Sequence, residues 1–277
     1  MLSKLLKQEF RATGRIMLPV LAALLLLSVL GNFSIRMMDG NVTSNTVLRF
    51  IFGFLIVVFI LGMFAAMMMT LVLMITRFHR NLLKDEGYLM HTLPVSVHGL
   101  VWSKLIVSLV WFVVTGLVIT AIIFLTGLIQ SGTNLGELML EFPSWAEIRE
   151  AMAEAGFRGS DITAFLLELL VLMLVGYFTT CLHFYAAMAM GHMFNKDKIL
   201  LSIVFFVAIS FALSMMTSLL GFRLSGLEMT ASELDAAGQV FGFVNRLLGL
   251  SLAVELIQGA VLYFATTLSL RRGLNLA

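Results

Sequence analysis

The sequence predicts an all-α, polytopic membrane protein with six transmembrane helices, both termini on the cytoplasmic side, and an N-terminal amphipathic interfacial helix. Three observations carry this prediction. Hydrophobic residues make up 60% of the 277 residues and charged residues 12%, with a mean hydropathy of +1.01, which is more apolar surface than a soluble core can hide. The apolar residues fall into six runs, each near the ~20 residues a helix needs to cross a hydrocarbon core of ~30 Å. The Lys and Arg residues between those runs alternate from basic-rich to basic-poor segments.

Residues 1–15 place Leu2, Leu5, Leu6, Phe10 and Thr13 on one helical face and Lys4, Lys7, Arg11 and Arg15 on the other. Such a helix suits the headgroup plane of an anionic leaflet. The first span follows at about 16–35. Val29-Leu30-Gly31 loosely imitates a signal-peptide cleavage site, but the apolar stretch has span length, so an uncleaved helix is expected. The second span covers about 50–76, the third 105–130, the fourth 164–193, the fifth 199–221 and the sixth 251–270. Between the fourth and fifth, Asn195-Lys196-Asp197-Lys198 is so short a turn that these two must be an antiparallel pair. With three prolines and no flexible linker, 1–277 reads as a single membrane domain.

Two outer loops carry structure of their own. Residues 131–163 are acidic, and Ser144-Trp145-Ala146-Glu147 has capping-box spacing ahead of a short surface helix that runs until Gly156. Residues 222–250 are too polar for a full crossing and too apolar for an ordinary loop. Thr230-Ala231-Ser232-Glu233 is a second capping-box match, and one or two short helices dipping back into the membrane are expected there.

Orientation follows from the basic residues. Lys4, Lys7, Arg11, Arg15, Arg77, Arg80, Lys84, Lys104, Lys196, Lys198, Arg271 and Arg272 fall on one side, twelve of the eighteen, against Arg36, Arg49, Arg149, Arg158, Arg223 and Arg246. The richer side is the cytoplasmic one.

Little in the chain points to catalysis. A phosphate-cradling GxxxxGK[ST] loop is absent, because Gly-Lys never occurs. His79, His91, His98, His183 and His192 lack metal-ligand spacing and read as packing or interface residues. The single cysteine, Cys181, cannot form an internal disulfide, and in Cys181-Leu182-His183 the thiol and imidazole point about 200° apart on a helix. Ala187-Met188-Ala189-Met190-Gly191 is a small-xxx-small pattern that permits close helix approach. Glu168 and Glu255 lie in the first turns of the fourth and sixth spans, near the outer interface, with Gln258 one turn inward of Glu255. These three form the candidate polar pathway, since intramembrane acids mark substrate or ion paths; the alternative is that the end-of-helix glutamates snorkel to water or make an interhelical hydrogen bond.

The segment 77–104 is the long polar insert on the basic side. Phe78, Leu82, Leu89 and Leu93 continue helical spacing past the second span, so a protruding helix is expected to break near Gly87. Pro94 turns the chain, Ser96 caps the next helix, and Trp102 and Lys104 return to the interface. Arg80, Lys84, Asp85 and Glu86 mark its polar tip, and Tyr88 offers an apolar contact.

Here the chain resembles the permease subunits of ABC-2 type transporters, especially the small six-span ones of Gram-positive bacteria. The matching residues are Asp85-Glu86-Gly87-Tyr88-Leu89, Thr92-Leu93-Pro94-Val95-Ser96 and Ser103-Lys104-Leu105, with the amphipathic start KLLKQEF, the six spans and the partly apolar loop before the sixth. The resemblance covers essentially the whole chain. It implies a half-transporter in the bacterial cytoplasmic membrane, in which two permease chains, identical or sisters, dock on separate cytoplasmic ABC ATPase subunits. This chain would hold no cofactor and ATP would sit on the partner. Arg80, Lys84, Asp85, Glu86 and Tyr88 would couple the ATPase to export of a hydrophobic or amphipathic peptide, lipid or drug. No nucleic-acid partner is expected. The residues also admit a non-transporting membrane sensor or immunity protein that binds a ligand at its outer loops, and, less simply, a membrane-embedded enzyme.

Overall fold

The computed structural model describes residues 2–39, 45–83, 96–132, 144–154, 159–194, 197–225 and 237–271. Seven α-helices appear among them: α1 (Leu2–Asp39), α2 (Thr46–Phe78), α3 (Val97–Ser131), α4 (Trp145–Glu154), α5 (Gly159–Gly191), α6 (Lys198–Ser225) and α7 (Ala237–Arg271). A π-helical turn, His79–Leu83, extends α2, and the described residues contain no strand. Six of the helices are long and apolar enough to cross a membrane, so the chain has the make-up of a multi-pass membrane protein. The chain divides into two compact units, one of residues 1–77 and 99–142, the other of residues 78–98 and 143–277.

The first unit is built from α1, most of α2 and α3. Met17 and Leu21 of α1 pack with Leu73 and Met74 of α2 and Val107 and Trp111 of α3. Further along, Leu24 packs with Phe59, Ala66 and Ile122. The numbers rise together on α1 and α3 and fall on α2, so α1 and α3 are parallel and α2 runs against them, the alternation expected of successive crossings. Phe50, Phe54, Phe64 and Leu26 are exposed, as lipid-facing side chains would be.

Two expected boundaries are absent. No break separates residues 1–15 from the first span: α1 is continuous through Pro19 to Asp39. The basic face is as read, with Lys4, Lys7, Arg11 and Arg15 exposed, but Glu9 joins Thr13 and Met17 on the buried face and ties this part of α1 to α3. Lys104 of α3, expected to return to the interface, is buried within the first unit. It is 3% exposed, and its Nζ donates to Glu9 Oε1 at 2.9 Å. One turn further along, Trp111 Nε1 donates to Thr13 Oγ1 at 2.8 Å.

The second boundary lies before the sixth span. Residues 237–250 are the first turns of α7, not separate short helices. Their glycines and polar residues lower the apolar signal without breaking the backbone ladder, and no proline intervenes. The capping-box match at Thr230–Glu233 lies outside the described residues. The first such match holds: Ser144 N donates to Glu147 Oε2 at 2.7 Å and Glu147 N to Ser144 Oγ at 3.3 Å, at the start of α4.

In the second unit α5 and α6 are antiparallel. His183 pairs with Phe206, while a Cβ added at Gly191 would lie 2.5 Å from Ser202 N and 2.7 Å from its Cα. The end of the small-xxx-small pattern is thus where α6 comes closest, and Ala187 and Ala189 beside it are buried. The turn between the two helices passes through Asp197 at φ 51°, a left-handed conformation that aspartate tolerates better than most residues.

Candidate functional site

The site is assembled on the facing sides of α5 and α7. Along α5, Phe165, Glu168, Leu172, Val175 and Thr179 recur at helical spacing and are partly or fully buried. Thr179 Oγ1 donates to the Glu255 carbonyl of α7 at 3.3 Å, and a Cβ at Gly259 would lie 3.2 Å from that hydroxyl. Small residues therefore let the helices meet at the level of Glu255–Gly259. Glu168 lies about three turns, or about 16 Å, before Thr179, within about 20° of the same face. The sequence-predicted residues Glu168, Glu255 and Gln258 are thus brought to one seam.

The revised start of α7 changes their depth. With the helix running from Ala237 to Arg271, Glu255 is near its middle, not in its first turns. Arg246 and Arg271 are exposed and bracket about seven turns, roughly 37 Å, enough for each guanidinium to reach a headgroup region across a ~30 Å core. Along α7 Gln258 thus lies midway between the two arginines, with Glu255 about one turn away.

Each of the three leaves a buried polar atom without a hydrogen-bond partner: Glu168 Oε2, Glu255 Oε2 and Gln258 Nε2. Gln258 itself is only 5% exposed. Asn245 of α7, which sequence reasoning passed over, does the same with its Oδ1. An unpaired buried polar group costs about 1–3 kcal/mol, and a charged one more, so the seam is locally unfavourable as it stands.

The second feature is the anchoring of segment 78–98. At its start Phe78 stacks on Tyr185 of α5, with ring centroids 3.9 Å apart and planes 8° apart, both side chains fully buried. His79 meets His192 edge to face at 5.1 Å. Asn81, Leu82 and Leu83 of the π turn are buried, while Arg80 is exposed. At its other end, on the first turn of α3, Arg271 Nη2 and His98 Nε2 lie 2.6 Å apart, and His98 Nδ1 lies 2.6 Å from Tyr263 Oη. A guanidinium can only donate, so His98 Nε2 accepts, and the imidazole proton on Nδ1 is donated to the tyrosine. The segment is bonded to α5 at one end and α7 at the other. Lys84, Asp85, Glu86 and Tyr88 lie outside the described residues, as does the expected break at Gly87.

Of the remaining histidines, His183 and His192 make contacts within their own unit, and His91 lies outside the described residues. His183 stacks on Phe206 at 4.4 Å and bonds its carbonyl and Ser210 Oγ, and His192 Nδ1 bonds the Met188 carbonyl. Among the described residues no group of His, Cys, Asp and Glu could hold a metal ion. Tyr185, Tyr263 and Arg271 escaped sequence reasoning as partners of the segment, because stacking and hydrogen bonds between distant positions leave no local pattern. Comparison with known proteins finds no matching family model, no matching curated protein and no matching solved structure.

Proposed function

We propose that the chain is the membrane-spanning permease subunit of an ATP-driven ABC exporter in the bacterial cytoplasmic membrane, working as a pair with a second permease chain on separate ATPase subunits. The observation that carries this reading is the double attachment of segment 78–98: Phe78 to Tyr185 on α5 and His98 to Tyr263 and Arg271 on α7. These are the two helices that carry the polar seam. A cytoplasmic ATPase that pushed on the segment, through Arg80, Lys84, Asp85, Glu86 and Tyr88, would act on both walls of the seam. ATP stays on the partner, and the permease converts the push into an opening for a hydrophobic or amphipathic substrate.

The test is purification of the tagged chain from its native membranes, with and without alanine at both Asp85 and Glu86. An ABC ATPase co-eluting with the unaltered chain, and reduced with the double substitution, is the expected result. Absence of any such ATPase, with function intact after the double substitution, overturns the reading.

A further inference from the structure

The unpaired atoms of the seam have defined chemistry. Glu255 Oε2 and Glu168 Oε2 are acceptors without a donor, and Gln258 Nε2 is a donor without an acceptor. Glu255 and Gln258 are three residues apart on α7, and helical side chains lean toward the N-terminus. The buried Gln258 carboxamide therefore lies over the turn that carries Glu255. One small group placed there would meet an acceptor and a donor a few ångströms apart. Among the described residues no cationic side chain is paired with either glutamate, whereas the buried Glu9 elsewhere in the chain has Lys104. The complement missing from the seam is a cation that can donate hydrogen bonds and carries an oxygen acceptor close by.

We propose that the α5–α7 seam binds the amino terminus of an amphipathic peptide, its primary ammonium donating to Glu255 Oε2 and its first carbonyl accepting from Gln258 Nε2. Glu168, about 16 Å along the same seam, is a second station for the ammonium nearer the membrane boundary. The peptide's apolar side chains face Leu172 and Val175 and the surrounding lipid. An ammonium bound at this depth neutralises a carboxylate that would otherwise be costly there. A quaternary ammonium does not fit the role, because it has no proton to donate to the orphan oxygen. The inference deepens the exporter reading by naming its substrate class.

Five small probes test it without an ATPase: glycine N-dodecylamide, its N-trimethylated analogue and neutral N-dodecylacetamide as the main set, with dodecylamine and dodecyl phosphoethanolamine as controls. Each is titrated against the purified chain in phosphatidylcholine nanodiscs, a bilayer without primary amines. The expected result is tighter binding of the glycine amide than of either analogue by at least about tenfold, the discrimination one charge-assisted hydrogen bond supplies. E255Q should abolish that preference while keeping the cooperative unfolding transition of the unaltered chain in SDS mixed micelles, which shows that the variant is folded. Q258L should keep the preference for ammonium but lose the preference of the glycine amide over dodecylamine, which lacks the carbonyl. Equal binding of the three main probes, or an unaltered preference in E255Q, overturns the proposal. Binding of dodecyl phosphoethanolamine in place of the glycine amide overturns it too, assigning the seam to a lipid headgroup. Loss of ATPase co-purification would sink the exporter reading while leaving these titrations intact, and failed titrations with the ATPase retained would sink only the present inference.

Discussion

The buried pair Glu9–Lys104 offers the sharpest check on how the first unit is held together. Its N···O distance is 2.9 Å, with the Lys104 side chain 3% and the Glu9 side chain 10% exposed. At an effective dielectric of about 20, unit charges at that separation attract by roughly 6 kcal/mol, most of which offsets the cost of taking both from solvent. Removing one partner leaves the other charge buried, at a cost of about 3–5 kcal/mol. Replacing both with apolar residues of similar size is near neutral or stabilising. Glu9→Leu or Lys104→Met alone should therefore lower the folded-to-unfolded ratio at least about a hundredfold, and the double variant should recover most of the loss.

The assay is unfolding by SDS in mixed micelles, followed through Trp111, whose indole is bonded to Thr13 one turn away. Trp102 and Trp145, the other two of three tryptophans, are replaced by phenylalanine in every form compared. The four forms make a double-mutant cycle, in which a coupling energy of at least about 2 kcal/mol is expected. If the double variant loses as much as the two single losses combined, the charges do not interact, and α1 is held to α3 by apolar packing alone.

Other predictions follow from close approaches and caps. At Gly191 an added Cβ meets backbone atoms of Ser202. Gly191→Ala should therefore cost about 1–3 kcal/mol in the same unfolding assay, and Ser202→Gly should not rescue it. At Gly31 the obstacle is the Phe59 ring, with Cγ and Cδ1 2.5 Å from the added Cβ. Gly31→Ala should likewise destabilise, but Phe59→Ala in the same chain, which removes Cγ and the ring and leaves only Cβ at 2.9 Å, should offset part of the clash. Ser144→Ala removes one side of the capping box and should raise amide exchange at the start of α4 by the equivalent of about 1 kcal/mol, with no effect on the other helices. His98→Phe keeps the ring and removes both bonds to α7. On the exporter reading the ATPase should still co-purify while substrate transport falls at least about tenfold.

The number and order of the long helices could be read from hydropathy because lipid-facing residues need no alternation, only length. The antiparallel α5–α6 pair followed from the brevity of the 195–198 turn. What could not be read was where a helix continues under a weak apolar signal. The stretch Gly238–Arg246 contains two glycines, Gln239, Asn245 and an arginine, yet it belongs to α7, and Gly242 to Asn245 are half-buried in it. That misplaced start put Glu255 at a boundary, although its neighbours Gln258 and Gly259 already shared its face. Glu9 was legible in principle: it stands at helical spacing with Leu6, Phe10, Thr13 and Met17, an acid on an apolar stripe, and so calls for a buried cation. Lys104 could not be picked out as that cation from sequence, because nothing local distinguishes it from an interfacial lysine. The bias of basic residues to one side survives its removal from the count.

The two buried carboxylate settings are worth setting side by side. Glu9 is held by a lysine that the chain itself supplies, across helices that also share the Trp111–Thr13 bond and an apolar cluster. A charge satisfied in that way fixes a helix in register and has no further need. Glu168 and Glu255 lie on a seam where the described residues supply small side chains, a threonine and an amide, but no paired cation. The same helices could have carried a lysine opposite Glu255 at little expense in apolar length, as α3 does opposite Glu9. Leaving the acid without one makes the seam less stable by itself and able to gain from a donor that arrives from outside. The ends of segment 78–98 meet Tyr185 on α5 and Tyr263 on α7, the two helices of that seam. A push there would alter how far apart the unpaired groups stand, and with it how tightly an ammonium is held.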